Sequence, residues 1–139
     1  DYVYNMERLI RKFKTAETLV PQPVLRQAKA PTRIGVIYYG STTPAMREAL
    51  DVLERNGDHV DALRLCAFPF SDAVRYFLAE HDKVFVVEQN RDAQMRTMLV
   101  NELDINPAKL VKVLHYDGTP ITARFIIRSI HDNMQKEIA

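Results

Sequence analysis

Two short stretches contain residue types from which a site could be built. Gly40, Ser41, Thr42 and Thr43 follow the apolar run RIGVIYY and precede the amphipathic stretch PAMREAL. A glycine, hydroxyls and a following helix N-terminus are what hold an anion on free backbone N–H groups. In the second stretch, VEQNRD at 87–92, another apolar run ends in a carboxylate (Glu88), two amides (Gln89, Asn90), a guanidinium (Arg91) and the Asp92 carboxylate.

Each stretch also has a plain structural reading. After the first, Pro44 removes an N–H where a phosphate needs one, and Ala45 and Met46 bring no hydroxyls, so a strand-to-helix turn capped by Thr43 competes with a phosphate seat. In the second, Glu88 and Arg91 can form a local ion pair while Asp92 caps the next helix. No G-x-x-x-x-G-K-[ST] or G-x-G-x-x-G occurs, and the first strand ends in Tyr-Tyr-Gly rather than the acidic pair of a phosphoacceptor domain.

The other chemistry-bearing residues are scattered. His59, His81, His115 and His131 lie in four segments with no i, i+4 pair, which reads as surface or rim histidines and not a metal centre. Cys66 ends an apolar run and reads as a buried, inert thiol. Neither a catalytic, a cofactor-binding nor a metal-ligating set emerges.

The elements that position these residues follow a repeating rhythm from Thr32 onward: apolar run, turn, amphipathic helix. This is the βαβ pattern of a parallel sheet. Runs at 34–39, 60–67, 84–87 and 110–116 read as strands. VFVV at 84–87 is apolar on both faces and therefore central. Helices are expected from Thr43-Pro44 to Asn56-Gly57, after Ser71, from Asp92 to Asn106-Pro107, and from Thr119-Pro120. Their buried faces are Met46, Ala49, Leu50 and Leu53; Val74, Phe77 and Leu78; Met95, Met98, Leu99 and Leu103; and Ile121, Phe125, Ile126, Ile130 and Met134.

Residues 1–31 break the rhythm. Asn5 to Lys14 reads as a short amphipathic helix with a solvated basic face, and 19–27, with Pro21 and Pro23, as an antiparallel edge strand. The expected fold is a three-layer α/β/α domain, mostly parallel, of about five strands. Residues 1–31 form a linker ending in the added edge strand, and 32–139 the domain proper. In such a sheet ligands bind beyond the carboxyl ends of the strands, so Gly40 to Thr42, Cys66 to Phe70, Glu88 to Arg91 and Asp117-Gly118 should share one rim.

Nineteen basic against eighteen acidic residues in 139 leave a net charge of +1, which supplies no field to attract nucleic acid or an anionic membrane. A single cysteine excludes a disulfide framework, a four-thiolate zinc site and an iron–sulfur cluster held by this chain alone. With no run long enough to span a bilayer and no secretory signal at DYVYNMERL, the expected location is the cytoplasm. The chain does not begin with methionine, which reads as a fragment of a longer protein.

Together, IGVIYYGST, the LRLCAFPF loop and KVFVVEQNRDAQM resemble the alpha subunits of 2-oxoacid:ferredoxin oxidoreductases, in the domain similar to the C-terminal domain of transketolase. The stretch MERLIRKFKTAETLVPQPVL resembles the linker that precedes that domain. The resemblance covers nearly the whole chain and looks closest to enzymes acting on 2-oxoglutarate. It implies a parent enzyme that decarboxylates a 2-oxoacid oxidatively with thiamine diphosphate, magnesium, an iron–sulfur cluster and coenzyme A, passing electrons to ferredoxin. The thiamine-bearing beta subunit and the other alpha-subunit domains are the implied partners. This domain binds no cofactor itself and serves assembly, with Gly40, Ser41, Thr42, Glu88, Gln89, Asn90 and Arg91 as interface or rim residues. The rival is a free-standing flavodoxin-like domain that binds flavin mononucleotide or another phosphate ligand at Gly40 to Thr43.

Overall fold

Apolar runs and amphipathic stretches alternate along the structure as they do along the sequence. The computed structural model describes residues 1–136. Its elements run α1 (Tyr2–Leu19), β1 (Val24–Arg26), β2 (Ile34–Tyr39), a 3-10 turn (Gly40–Thr42), α2 (Thr43–Asn56), β3 (Asp61–Leu65), α3 (Asp72–Glu80), β4 (Lys83–Glu88), α4 (Gln94–Leu103), a second 3-10 turn (Pro107–Lys109), β5 (Leu110–Leu114) and α5 (Ala123–Lys136). The strand order is β1-β3-β2-β4-β5. β2, β3, β4 and β5 pair in parallel, and β1 adds to β3 antiparallel, with Leu25 opposite Leu63.

Both faces of the sheet are covered, which is why β4 can be apolar throughout. Val36, Tyr38, Phe85, Val87 and Val113 pack under Met46, Leu50 and Leu53 of α2 and Ile126 and Ile130 of α5. On the other face Ile37, Leu63, Leu65, Val84 and Val86 pack under Val74, Phe77 and Leu78 of α3 and Leu99 and Leu103 of α4. Each fully buried Leu, Ile or Phe removes enough apolar surface from water to contribute about 1.5–3 kcal/mol. Gly35 on β2 lets α3 come close: a Cβ there would stand 2.8 Å from Phe77 Cε1 and 3.2 Å from His81 Cγ.

The helix boundaries correct several expectations. α1 spans eighteen residues and none of them is buried, so both its faces are exposed. Thr43 does not cap α2; its hydroxyl donates backward to the Gly40 carbonyl (2.7 Å), and the 3-10 turn leads into the helix. Gly57 ends α2 in the left-handed conformation (φ 85°), as its glycine predicts. Ser71 precedes α3 without a side-chain cap bond. α4 ends at Leu103 rather than at Asn106-Pro107, and Met98 on it is exposed. α5 starts at Ala123, with the Thr122 hydroxyl accepting from Phe125 N (3.2 Å), while Thr119 folds back on Asp117.

Candidate functional site

Because β2 to β5 run parallel, their carboxyl ends bring Gly40, Cys66, Glu88 and His115 to one edge of the sheet. At the centre is Glu88, the last residue of β4, with no solvent exposure. It makes no ion pair with Arg91, which pairs with the adjacent Asp92 (2.8 Å). Instead Oε1 accepts from Met95 N (2.6 Å), Asn90 Nδ2 (3.0 Å) and Tyr39 Oη (3.2 Å), and Oε2 accepts from Arg96 N (3.1 Å).

The cap of α4 therefore comes from the preceding strand, not from Asp92. Two of the N–H groups that the first helical turn leaves without partners point at the Glu88 carboxylate, a favourable place for a carboxylate. Asn90 completes the arrangement, its Oδ1 accepting from Asp92 N (3.1 Å) and Gln94 N (3.2 Å). Ala93 takes a left-handed conformation (φ 52°) to turn the chain between them, a conformation that costs a non-glycine residue about 1–2 kcal/mol. Burial, then the Glu88 charge and hydrogen bond, push the Tyr39 phenol up to about 12.

Gln89 joins the loops. Its Nε2 donates to Ser41 Oγ (3.0 Å) and Thr42 Oγ1 (3.2 Å), and its Oε1 accepts from Ile121 N (3.4 Å). The hydroxyls that could have faced an anion thus accept from a side-chain amide. Thr42 is buried, Asn90 half-buried, and Gly40, Ser41, Gln89 and Arg91 are exposed. The rim of β5 is shaped by Asp117, whose Oδ1 accepts from the Thr119 hydroxyl (2.7 Å) and Thr119 N (2.9 Å). Those bonds hold its carboxyl below the usual range.

Cys66, His81 and His115 depart from expectation, while His59 and His131 keep to it. Cys66 is exposed, because β3 ends at Leu65 and the chain leaves the sheet there. His81 is buried between the Phe77 carbonyl (2.7 Å from Nδ1) and Asp61 (3.0 Å from Nε2), and His115 is buried beside Phe125. His59 and His131 are partly exposed and pair with Glu54 (2.8 Å) and Asp58 (2.7 Å). Among the described residues, no group of three or more His, Cys, Asp or Glu converges as metal ligands would, and no helix is long and apolar enough to cross a membrane.

No family model and no curated protein matches the sequence. Solved structures do. A 2-oxoglutarate:ferredoxin oxidoreductase from Magnetococcus marinus, with 2-oxoglutarate, coenzyme A and succinyl-CoA bound, superposes with a TM-score of 0.77 at 24% identity over 88% of this chain. A split-gene transketolase, an inactive beta4 tetramer, gives 0.62 at 17% over 81%. The chain is similar to a transketolase C-terminal-like domain. The alpha chain of a probable 2-oxoacid ferredoxin oxidoreductase from Thermoplasma acidophilum matches at 26% identity with a TM-score of 0.55, over 82% of this chain and 97% of that one. The chain spans only 21% of the Magnetococcus marinus chain and 41% of the transketolase chain. These neighbours agree with the resemblance carried by IGVIYYGST and KVFVVEQNRDAQM.

Proposed function

We propose that this transketolase C-terminal-like chain is the corresponding domain of the alpha subunit of a 2-oxoacid:ferredoxin oxidoreductase, of the 2-oxoglutarate type, and that its own contribution is assembly. The observation that supports this most is the state of the rim. Its one fully buried carboxylate, Glu88, has both oxygens committed to backbone and side-chain donors, and its hydroxyls are tied to Gln89. Groups so committed hold loops in place. What the rim offers outward is the polar surface of Ser41, Gln89 and Arg91 on a rigid support, which suits contact with a neighbouring domain or subunit.

In the parent, oxidative decarboxylation of the 2-oxoacid would rest on thiamine diphosphate and magnesium in a beta subunit, with an iron–sulfur cluster, coenzyme A and ferredoxin as further participants. The donor set of this chain does not fit the cluster or the magnesium: one thiol cannot hold a cluster, and the fully buried Glu88 has both carboxylate oxygens committed to donors of the chain. The domain therefore holds shape for chemistry done elsewhere, with residues 1–31 joining it to the rest of the subunit. The deciding experiment is replacement of Ser41, Gln89 and Arg91 by alanine in the complete enzyme. Loss of subunit association or of 2-oxoacid-dependent ferredoxin reduction supports assembly through the rim, and unchanged assembly and turnover overturn it.

A further inference from the structure

The buried His81 has acceptors at both ring nitrogens. Nδ1 lies 2.7 Å from the Phe77 carbonyl, and Nε2 lies 3.0 Å from the Asp61 carboxylate. A neutral imidazole carries one N–H and can satisfy one of these partners, whereas an imidazolium donates to both. The carbonyl has no proton to give, and a carboxylic acid gives one up more readily than an imidazolium, so the proton that completes the arrangement belongs on the ring. Burial opposes a lone imidazolium, but His81 and Asp61 together are neutral.

The surroundings favour the same charge. Glu80 of α3 and the Tyr76 phenol line the cavity that His81 and Asp61 also line, and Asp82 follows the helix, offset by Arg33 and Lys109. β2 presents only the backbone of Gly35 to the ring, and the segment after β1 presents the uncharged Gln27 to the cavity. Lys83 of β4 turns to the other face of the sheet, over the Phe85 ring at 5.9 Å. Three carboxylates thus stand around the imidazole against two more distant cations.

Asp61 also holds the segment that joins β1 to β2. Its Oδ1 accepts from Ala28 N (2.7 Å), and the next amide, Lys29 N, turns to Glu54 (3.3 Å). We propose that His81 is an imidazolium whose second proton latches this segment to the sheet through Asp61, making a pH-sensitive attachment. Loss of that proton to hydroxide leaves a ring lone pair facing the carboxylate or the Phe77 carbonyl in a buried site, which costs free energy until something moves. Asp61 is fixed in β3 opposite Gly35, and His81 is wedged against the Phe77 ring (centroids 4.3 Å apart), whereas Ala28 lies between elements. The segment therefore gives way. The Asp61 side chain, 19% exposed, provides the route by which the proton leaves. The latch belongs to this chain and does not depend on the oxidoreductase reading.

Imidazole nitrogen spectra of the 139-residue chain, together with amide hydrogen exchange at Ala28, test it. At about pH 7 both His81 nitrogens should carry protons. The latched state holds one proton more than the released state. Ala28 protection, corrected for the intrinsic exchange rate, should therefore fall by up to about tenfold per pH unit once the ring titrates. Asp61→Asn turns an amide N–H toward Nε2 and keeps an oxygen for Ala28 N. It should leave His81 with one proton and Ala28 protected to the same degree at every pH. A singly protonated His81 in the wild-type chain at about pH 7, or wild-type Ala28 protection that is flat with pH, overturns the proposal whether or not Asp61→Asn folds. An unchanged pH dependence in a folded Asp61→Asn chain overturns it as well.

Discussion

Tyr39 Oη lies 3.2 Å from Glu88 Oε1, a hydrogen bond between the ends of the two central strands. The same carboxylate oxygen accepts from Asn90 and from the backbone of α4, so three elements meet at one atom. The buried carboxylate is stable there because donors surround it.

Removing that carboxylate should cost more than an ordinary surface change. Glu88→Ala leaves the N–H groups of Met95 and Arg96 without an acceptor in a dry site, and is expected to destabilise by about 3 kcal/mol. Glu88→Gln keeps one acceptor but turns an NH₂ toward a donor, and is expected to cost about 1–2 kcal/mol. Urea unfolding of the two variants checks both; equal stability to wild type would show that α4 does not depend on this cap.

Tyr39 gives the pair an alkaline signature. The folded phenol is raised from 10.0 to about 12, so the native state keeps a proton that the unfolded chain releases. The stability it contributes is complete below pH about 10 and is lost as pH rises through about 12. Tyr39→Phe should flatten this loss between those limits. Unfolding midpoints measured across the alkaline range, together with phenolate absorbance, give the comparison.

Gly35 tests the packing of α3. A Cβ 2.8 Å from Phe77 Cε1 forces the ring or the helix to move, so Gly35→Ala should destabilise by about 1–3 kcal/mol. Combined with Phe77→Ala the two costs should fall short of their sum, because the truncated ring leaves room for the methyl. Strict additivity would mean that the methyl is accommodated elsewhere.

The Gly40 to Thr43 loop should not take up flavin. Pro44 provides no N–H, and the hydroxyls of Ser41 and Thr42 already accept from Gln89. Purified chain is expected to be colourless and to give no heat when titrated with flavin mononucleotide. Stoichiometric uptake would restore the flavodoxin-like reading.

Much of the fold was legible in the residues. VFVV at 84–87 declared a strand covered on both faces, the i, i+3, i+4 spacing of Met46, Ala49, Leu50 and Leu53 fixed which side of α2 is buried, and Gly57 marked its end, because periodicity and backbone freedom are local properties. The antiparallel edge strand expected over 19–27 is present but shorter: β1 spans only Val24–Arg26, with Pro21 and Pro23 ahead of it and Leu19 still in α1. The caps were not legible. Thr43, Asp92 and Thr119 have the right side chains in the right neighbourhoods, yet α4 is capped by Glu88 from the strand before it, and Thr43 and Thr119 bond backward into their own turns. Local chemistry names the candidates for an N–H at a helix start, while the winner is the acceptor that the sheet brings within bonding distance.

The rim divides along the same line. By itself the sequence determined that Gly40 to Thr42 and Glu88 to Arg91 would meet, since parallel strands place their carboxyl ends on one edge. Only the tertiary structure decided that Glu88 is buried rather than paired with Arg91, that Gln89 spans to Ser41, Thr42 and Ile121, that Cys66 is exposed and that His81 is enclosed beside Asp61. Tyr39 reaches Glu88 across 49 positions, Gln89 reaches Ser41, Thr42 and Ile121 across 48, 47 and 32, and His81 reaches Asp61 across 20, pairings that only the packed sheet brings together.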